Sequence, residues 1–119
     1  MTRLRQDTGI RGEQIALDFL LGMGYQLVAK NWRCRSGEID LIMMDGAVMV
    51  FVEVKARHGT GYGLPQEAVG GRKQMKIRRL AQYYLMLANR SEQDLRFDVV
   101  AITFSGDQKP LIEHLQGVF

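Results

Sequence analysis

Residues 47–56 read Ala-Val-Met-Val-Phe-Val-Glu-Val-Lys-Ala, a strand in which apolar side chains occupy both faces until two charges arrive. Alternate side chains of a strand share a face. Val48, Val50, Val52 and Val54 therefore take one side, and Met49 and Phe51 precede Glu53 and Lys55 on the other. A strand apolar on both faces is expected to be covered on both. Charge placed there is costly unless it is partnered, so Glu53 and Lys55 call for a specific environment.

Asp45-Gly46 is a dipeptide suited to a two-residue type I′ hairpin, in which both central residues need positive φ. With that loop, Met44 pairs with Ala47, Asp40 falls opposite Phe51, and Glu38 falls opposite Glu53. Glu38, Asp40, Glu53 and Lys55 then share one face. A slip or bulge changes which side chains are directly opposed, so the shared neighbourhood is the firmer expectation. Carboxylates brought this close raise one another's pKa, and a divalent cation would relieve the repulsion.

At 119 residues the chain is expected to form one domain with a two-layer core. Sixteen Lys and Arg against thirteen Asp and Glu give a formal charge of +3, a weak pointer to a polyanionic partner. The distribution says more than the total. Arg33 and Arg35 flank Cys34, and Arg72, Lys73, Lys76, Arg78 and Arg79 crowd together. A lone cysteine, Cys34, excludes an intrachain disulfide framework and a cysteine zinc cluster, and fits a reducing cytoplasm. The N-terminus carries no signal-like apolar region, and no apolar run suits a membrane span. A soluble cytoplasmic protein is expected.

From about Arg11 to Gly22, Ala16, Phe19, Leu20 and Met23 recur at helical spacing. Glu13 lies on that apolar side, so it either meets a partner or favours the positive end of the helix dipole. Tyr25 to Trp32, Glu38 to Met44 and Ala47 to Ala56 read as three strands. His58 to Pro65, with three glycines, reads as a loop. Ile77, Leu80, Ala81, Tyr84, Leu85 and Ala88 mark a second amphipathic helix over Arg72 to Ala88. Arg96 to Phe104 and Leu111 to Leu115 complete the strands, giving an α/β layer with a mixed sheet.

With Glu13 on the first helix, Asp40 on the second strand and Glu53-Val54-Lys55 on the third, the chain resembles the PD-(D/E)XK nuclease superfamily. Its Asp40 to Lys55 segment looks like the core of archaeal Holliday junction resolvases. The segments Gly12-Glu13, Gly37-Glu38-Ile39-Asp40-Leu41-Ile42, Phe51 to Arg57, Gly63 to Val69 and Arg96-Phe97-Asp98-Val99-Val100 resemble the YraN family of small bacterial proteins. Ile39 stands where the superfamily name has proline.

The resemblance implies a restriction-endonuclease-like αβββαβ core whose mixed central sheet is flanked by helices. It implies Mg²⁺ or Mn²⁺ held by Asp40, Glu53 and the Val54 carbonyl, with Glu13 joining directly or through water, and Lys55 acting on the attacking water. Glu38 and Gln66 are candidates to assist from behind these groups. The expected reaction is endonucleolytic hydrolysis of DNA, branched or otherwise structured, by a chain that would suit a two-fold homodimer. A non-catalytic nucleic-acid or protein-binding module that keeps the fold is the alternative.

Arg57 shares the parity of Lys55 and is a candidate phosphate contact, or a structural ion pair. Lys73, on the inner edge of its helix, is a better phosphate candidate than Arg78. Arg72, Lys76, Arg79 and Arg35 are further nucleic-acid candidates, against the plainer reading of a solvated face. Tyr62 is placed to stack on a base or cap a loop. His58 and His114 receive no role in the chemistry, and Asp98 is expected to pair with Arg96 or order the strand start.

Overall fold

The computed structural model describes residues 3–59 and 69–119, with side chains from Gln6 onward. Among these residues seven elements follow one another: α1 (Arg3–Gly22), β1 (Gln26–Cys34), β2 (Gly37–Asp45), β3 (Val48–His58), α2 (Gly71–Leu87), β4 (Leu95–Phe104) and β5 (Leu111–Leu115). The strands form one sheet in the order β1-β2-β3-β4-β5. β3 and β4 run parallel, while the other neighbours are antiparallel. The chain is thus a mixed α/β fold with helices on both faces of a five-stranded sheet, compatible with a restriction-endonuclease-like core.

The two faces of β3 explain its continuous apolar run. Val50 and Val52 join Leu41, Met43, Val100 and Ile102 under Ala16, Leu17 and Leu20 of α1. Met49 and Phe51 join Ile42, Phe97 and Val99 under Ile77, Leu80, Ala81 and Leu85 of α2. Phe51 is fully buried, stacked on Phe97 with ring centroids 5.7 Å apart. Such coverage removes water from both sides of the strand and makes its charged end a low-dielectric site.

α1 begins well before the expected Arg11. Thr8 is buried and hydrogen-bonded to Nε2 of His58 at 2.8 Å, and Arg11 lies over the Phe104 ring at 4.6 Å. Tertiary contacts, rather than apolar periodicity, therefore hold these extra turns. The close packing continues at Gly12: a Cβ there would stand 2.4 Å from Cβ of Ala56. Only a missing side chain lets α1 approach β3 so nearly.

The hairpin register differs from expectation by two residues. Asp45 pairs with Val48 and Met44 with Met49, leaving Gly46-Ala47 as the loop. Gly46 has φ +60° while Ala47 is not among the positive-φ residues, the pattern of a II′ loop rather than I′. An even shift preserves the face of every side chain. It nevertheless changes their neighbours: Leu41 and Val52 are the last paired residues, so Asp40 and Glu53 come next, and the expected Asp40–Phe51 and Glu38–Glu53 oppositions do not occur.

A second irregularity lies beside Asp40. Asn31 has φ +51°, and the β1–β2 pairing passes from Lys30–Leu41 to Trp32–Ile39. Ala29 and Trp32, like Ile39 and Ile42, pack on the same α2-side core. Alternation is therefore broken at the Asn31/Asp40 level. The break ends the simple shared face expected for Glu38 and Asp40.

Among the described residues no helix is long and apolar enough to cross a membrane.

Candidate functional site

The site forms where the β2–β3 ladder stops. Beyond the last β2–β3 pair, the Val54 backbone N–H donates to Oδ2 of Asp40 at 2.8 Å. Glu53 is buried, and its Oε1 forms an ion pair with Nζ of Lys73 at 2.5 Å. Burial first, and then the adjoining Glu53 carboxylate, push Asp40 from its ordinary 3.8 up to about 7, against the opposing pull of the Val54 N–H. Two carboxylates in one poorly solvated place resist joint ionisation.

Glu13 approaches from α1, delivered by the Gly12–Ala56 contact. Its Oε1 is buried and has no hydrogen-bond partner among the described residues. Burial, followed by the nearby Glu38 and Glu53 charges, raises its pKa. Glu13 also contributes to the upward shift of Asp40. The helix-dipole reading thus gives way to an inward-facing carboxyl that feels three other acids.

Glu38 sits differently from the sequence expectation. It accepts from Nε of Arg33 at 2.6 Å on the exposed β1–β2 surface. Its influence reaches Glu13, whereas the acid acting most strongly on Asp40 is Glu53. The two-residue register shift is the cause, because it exchanges Glu38 for Asp40 beside Glu53. Lys55 follows Glu53 by two on β3, is half-buried, and makes no ion pair with a described residue.

Lys73, a candidate phosphate contact, forms an ion pair with Glu53. Nothing in the local pattern signals a pairing across such a chain separation. Arg72, Lys76 and Arg79 are exposed on α2, and Arg35 is exposed on the β1–β2 turn. Arg57 is half-buried and has an interaction of its own. Gln66, Tyr62 and most of the Gly63 to Val69 motif lie outside the described residues.

The chemistry available here is that of hard oxygen donors. Among the described residues no three His, Cys, Asp or Glu side chains form a complete metal cage. The Asp40/Glu53 pair with the adjacent Val54 carbonyl is a smaller donor set. A magnesium-like ion commonly takes one or two carboxylates and fills its remaining positions with water and substrate oxygen. The orphaned Glu13 oxygen and the repelling acid pair are physically suited to such a cation.

A separate charged network is built on the first half of β4, where Asp98 is in register with Val52 of β3. Asp98 is fully buried and accepts from Nε of Arg96 at 2.9 Å and the Gly117 N–H at 3.0 Å. It also bonds His114 Nε2 at 2.7 Å. Arg96 reaches on to Asp45 at 3.0 Å and the Tyr25 hydroxyl at 2.7 Å. Asp98 thus does more than pair with Arg96: it fastens β5 and the residues after it to β4.

The profile described as "Uncharacterised protein family UPF0102" matches residues 12–102. A UPF0102 protein of Nocardia farcinica is 46% identical over 115 residues, covering 97% of this chain and 91% of that protein. Another, from Geobacter sulfurreducens, is 42% identical over 111 residues, covering 93% and 87% respectively. One from Symbiobacterium thermophilum is 47% identical over 111 residues, covering 93% and 94%. The matched region contains Glu13, Asp40, Glu53 and Lys55 together with strands β1 to β3, and the chain belongs to the YraN-like UPF0102 family.

Proposed function

We propose that this protein is a divalent-metal-dependent endonuclease of the PD-(D/E)XK type, hydrolysing phosphodiester bonds in branched or structured DNA. The observation that carries the reading is the Asp40/Glu53 carboxylate pair at the end of the β2–β3 ladder, with Lys55 two residues farther along β3. Asp40, Glu53 and the Val54 carbonyl would hold Mg²⁺ or Mn²⁺, assisted by Glu13. When bound, the ion supplies Lewis-acid chemistry and lowers the pKa of water.

The protein's own groups account for the remaining requirements. Lys55 orients the attacking water and offers positive charge to the phosphoryl oxygens as negative charge develops. Asp40 is fixed by the Val54 N–H, so its second oxygen remains aimed without rotating freely. The apolar layers on both sides of β3 exclude bulk water and strengthen each charge interaction. The exposed cations of α2 and the β1–β2 turn provide the electrostatic approach for phosphate.

The test is cleavage of labelled four-way junction, flap, single-stranded and duplex DNA with Mg²⁺ or Mn²⁺, alongside Asp40→Asn and Glu53→Gln. Cleavage by the parent and loss in both folded variants is expected. Binding without cleavage under either metal would instead support a non-catalytic module. That alternative draws on one specific observation, the Lys73–Glu53 pair, which satisfies Glu53 without a metal. It requires Glu53→Gln to destabilise the protein equally with and without Mg²⁺.

A two-fold dimer would supply two such sites to the equivalent strands of a junction. Sedimentation of the protein alone and with a four-way junction tests that arrangement.

A further inference from the structure

A groove of about 970 Å³ separates the β1–β2 turn from the N-terminal half of α2. Arg35 stands on one wall, and Arg72, Lys76 and Arg79 stand on the other. All four are exposed, and none is paired with a described carboxylate. The first turn of α2 has no acidic residue, and its N-cap, Gly70, supplies no side-chain cap. Cation rim and helix terminus therefore act in the same direction on an anion.

Charge alone does not describe this groove. Leu80 and Tyr83 also line it. Tyr83 is 43% exposed, while its ring leans on Trp32 with centroids 6.2 Å apart. That contact holds the aromatic surface against the fold instead of leaving it to swing in solvent. Lys73 lines the same groove and reaches Glu53, joining it to the acid site.

A paired duplex presents phosphates outward and keeps its base faces in the stack. It would use the cations but has no free base face to lay on the aromatic ring. An unpaired strand can use both, with phosphates on the cations and a base on the ring. We infer that this groove binds an unpaired DNA strand flanking the acid site, stacking a base on Tyr83 while Arg35, Arg72, Lys76 and Arg79 contact its phosphates. This rests on the nuclease reading for its substrate and narrows it to DNA with a single-stranded arm.

The assay is fluorescence anisotropy in EDTA, so that binding is measured with cleavage absent. A single strand, a blunt duplex and the same duplex carrying a single-stranded flap are compared with the intact protein, Tyr83→Ala, Tyr83→Phe and Arg79→Ala. Single strand and flap bind more tightly than blunt duplex. Tyr83→Ala weakens those two about tenfold and leaves the duplex unchanged, whereas Tyr83→Phe retains them. Arg79→Ala weakens all DNA forms and lowers the salt dependence by about one phosphate contact.

Equal or tighter blunt-duplex binding overturns the inference, as does uniform weakening by Tyr83→Ala or tighter binding of a matching RNA strand. Circular dichroism melts verify that the exposed substitutions leave the fold intact. Flap-selective, Tyr83-dependent binding would stand even if metal failed to produce cleavage, so failure of the nuclease reading remains separable from failure of the groove assignment.

Discussion

Replacing Gly12 by Ala should destabilise the protein even though alanine is the better helix former. The new Cβ would meet Cβ of Ala56 at 2.4 Å and its Cα at 3.7 Å. Carbon atoms prefer separations of about 3.5–4.0 Å, and Ala56 has no flexible side chain to move aside. The helix must therefore withdraw from β3 by roughly 1 Å. Overpacking of this kind costs about 1–3 kcal/mol, while the change from glycine to alanine within a helix returns about 1 kcal/mol.

Gly9 supplies an internal control because a Cβ there meets nothing within 4 Å. Gly9→Ala should stabilise by about 0.4–1 kcal/mol, opposite in sign to Gly12→Ala. Thermal and urea unfolding read both changes. Ala56→Gly removes the obstruction, so the Gly12→Ala/Ala56→Gly pair should recover about 1–2 kcal/mol relative to the sum of the single changes. Equal stabilisation by both glycine substitutions, or no coupling in the pair, would refute the close helix–strand approach that delivers Glu13.

Three further outcomes follow from the charged groups. In EDTA, the tighter protonation of folded Asp40 favours folding below its ordinary 3.8, and this contribution is lost as pH rises through about 7; Asp40→Asn should remove that decline in melting temperature, and an unchanged slope would reject the raised pKa. Lys73→Met should destabilise the metal-free protein by about 1–3 kcal/mol because it strands a buried Glu53 carboxylate, with the half-exposed lysine reducing the full cost of a broken buried pair. Mn²⁺ should raise the melting temperature of this variant more than that of the parent, and equal shifts would argue against a cation site at Glu53.

Asp98→Ala should cost about 3–5 kcal/mol by leaving buried partners without their anion, measured by urea unfolding. Burial alone would raise the Asp98 pKa, but hydrogen bonds from His114, Arg96 and the Gly117 amide hold it below 3.8. Its contribution is therefore present above the unfolded value and lost as pH falls through the folded one. A variant as stable as the parent near neutral pH would show that the network does not secure β4 and β5.

Much of the architecture is written in local periodicity. The two apolar faces of β3 require cover on both sides, and the spacing of Ile77, Leu80, Ala81 and Leu85 determines the buried stripe of α2. The neighbourhood of Asp40 and Glu53 is legible from the hairpin, while the actual register, two residues from the expected one, makes them the next opposed positions beyond Leu41 and Val52. The tertiary structure alone decides that Glu38 turns to Arg33, Lys73 turns to Glu53, and Gly12 brings Glu13 inward. Local repeats specify which face a side chain occupies, but ladder register, the break at Asn31 and the docking of distant helices determine which atoms meet there.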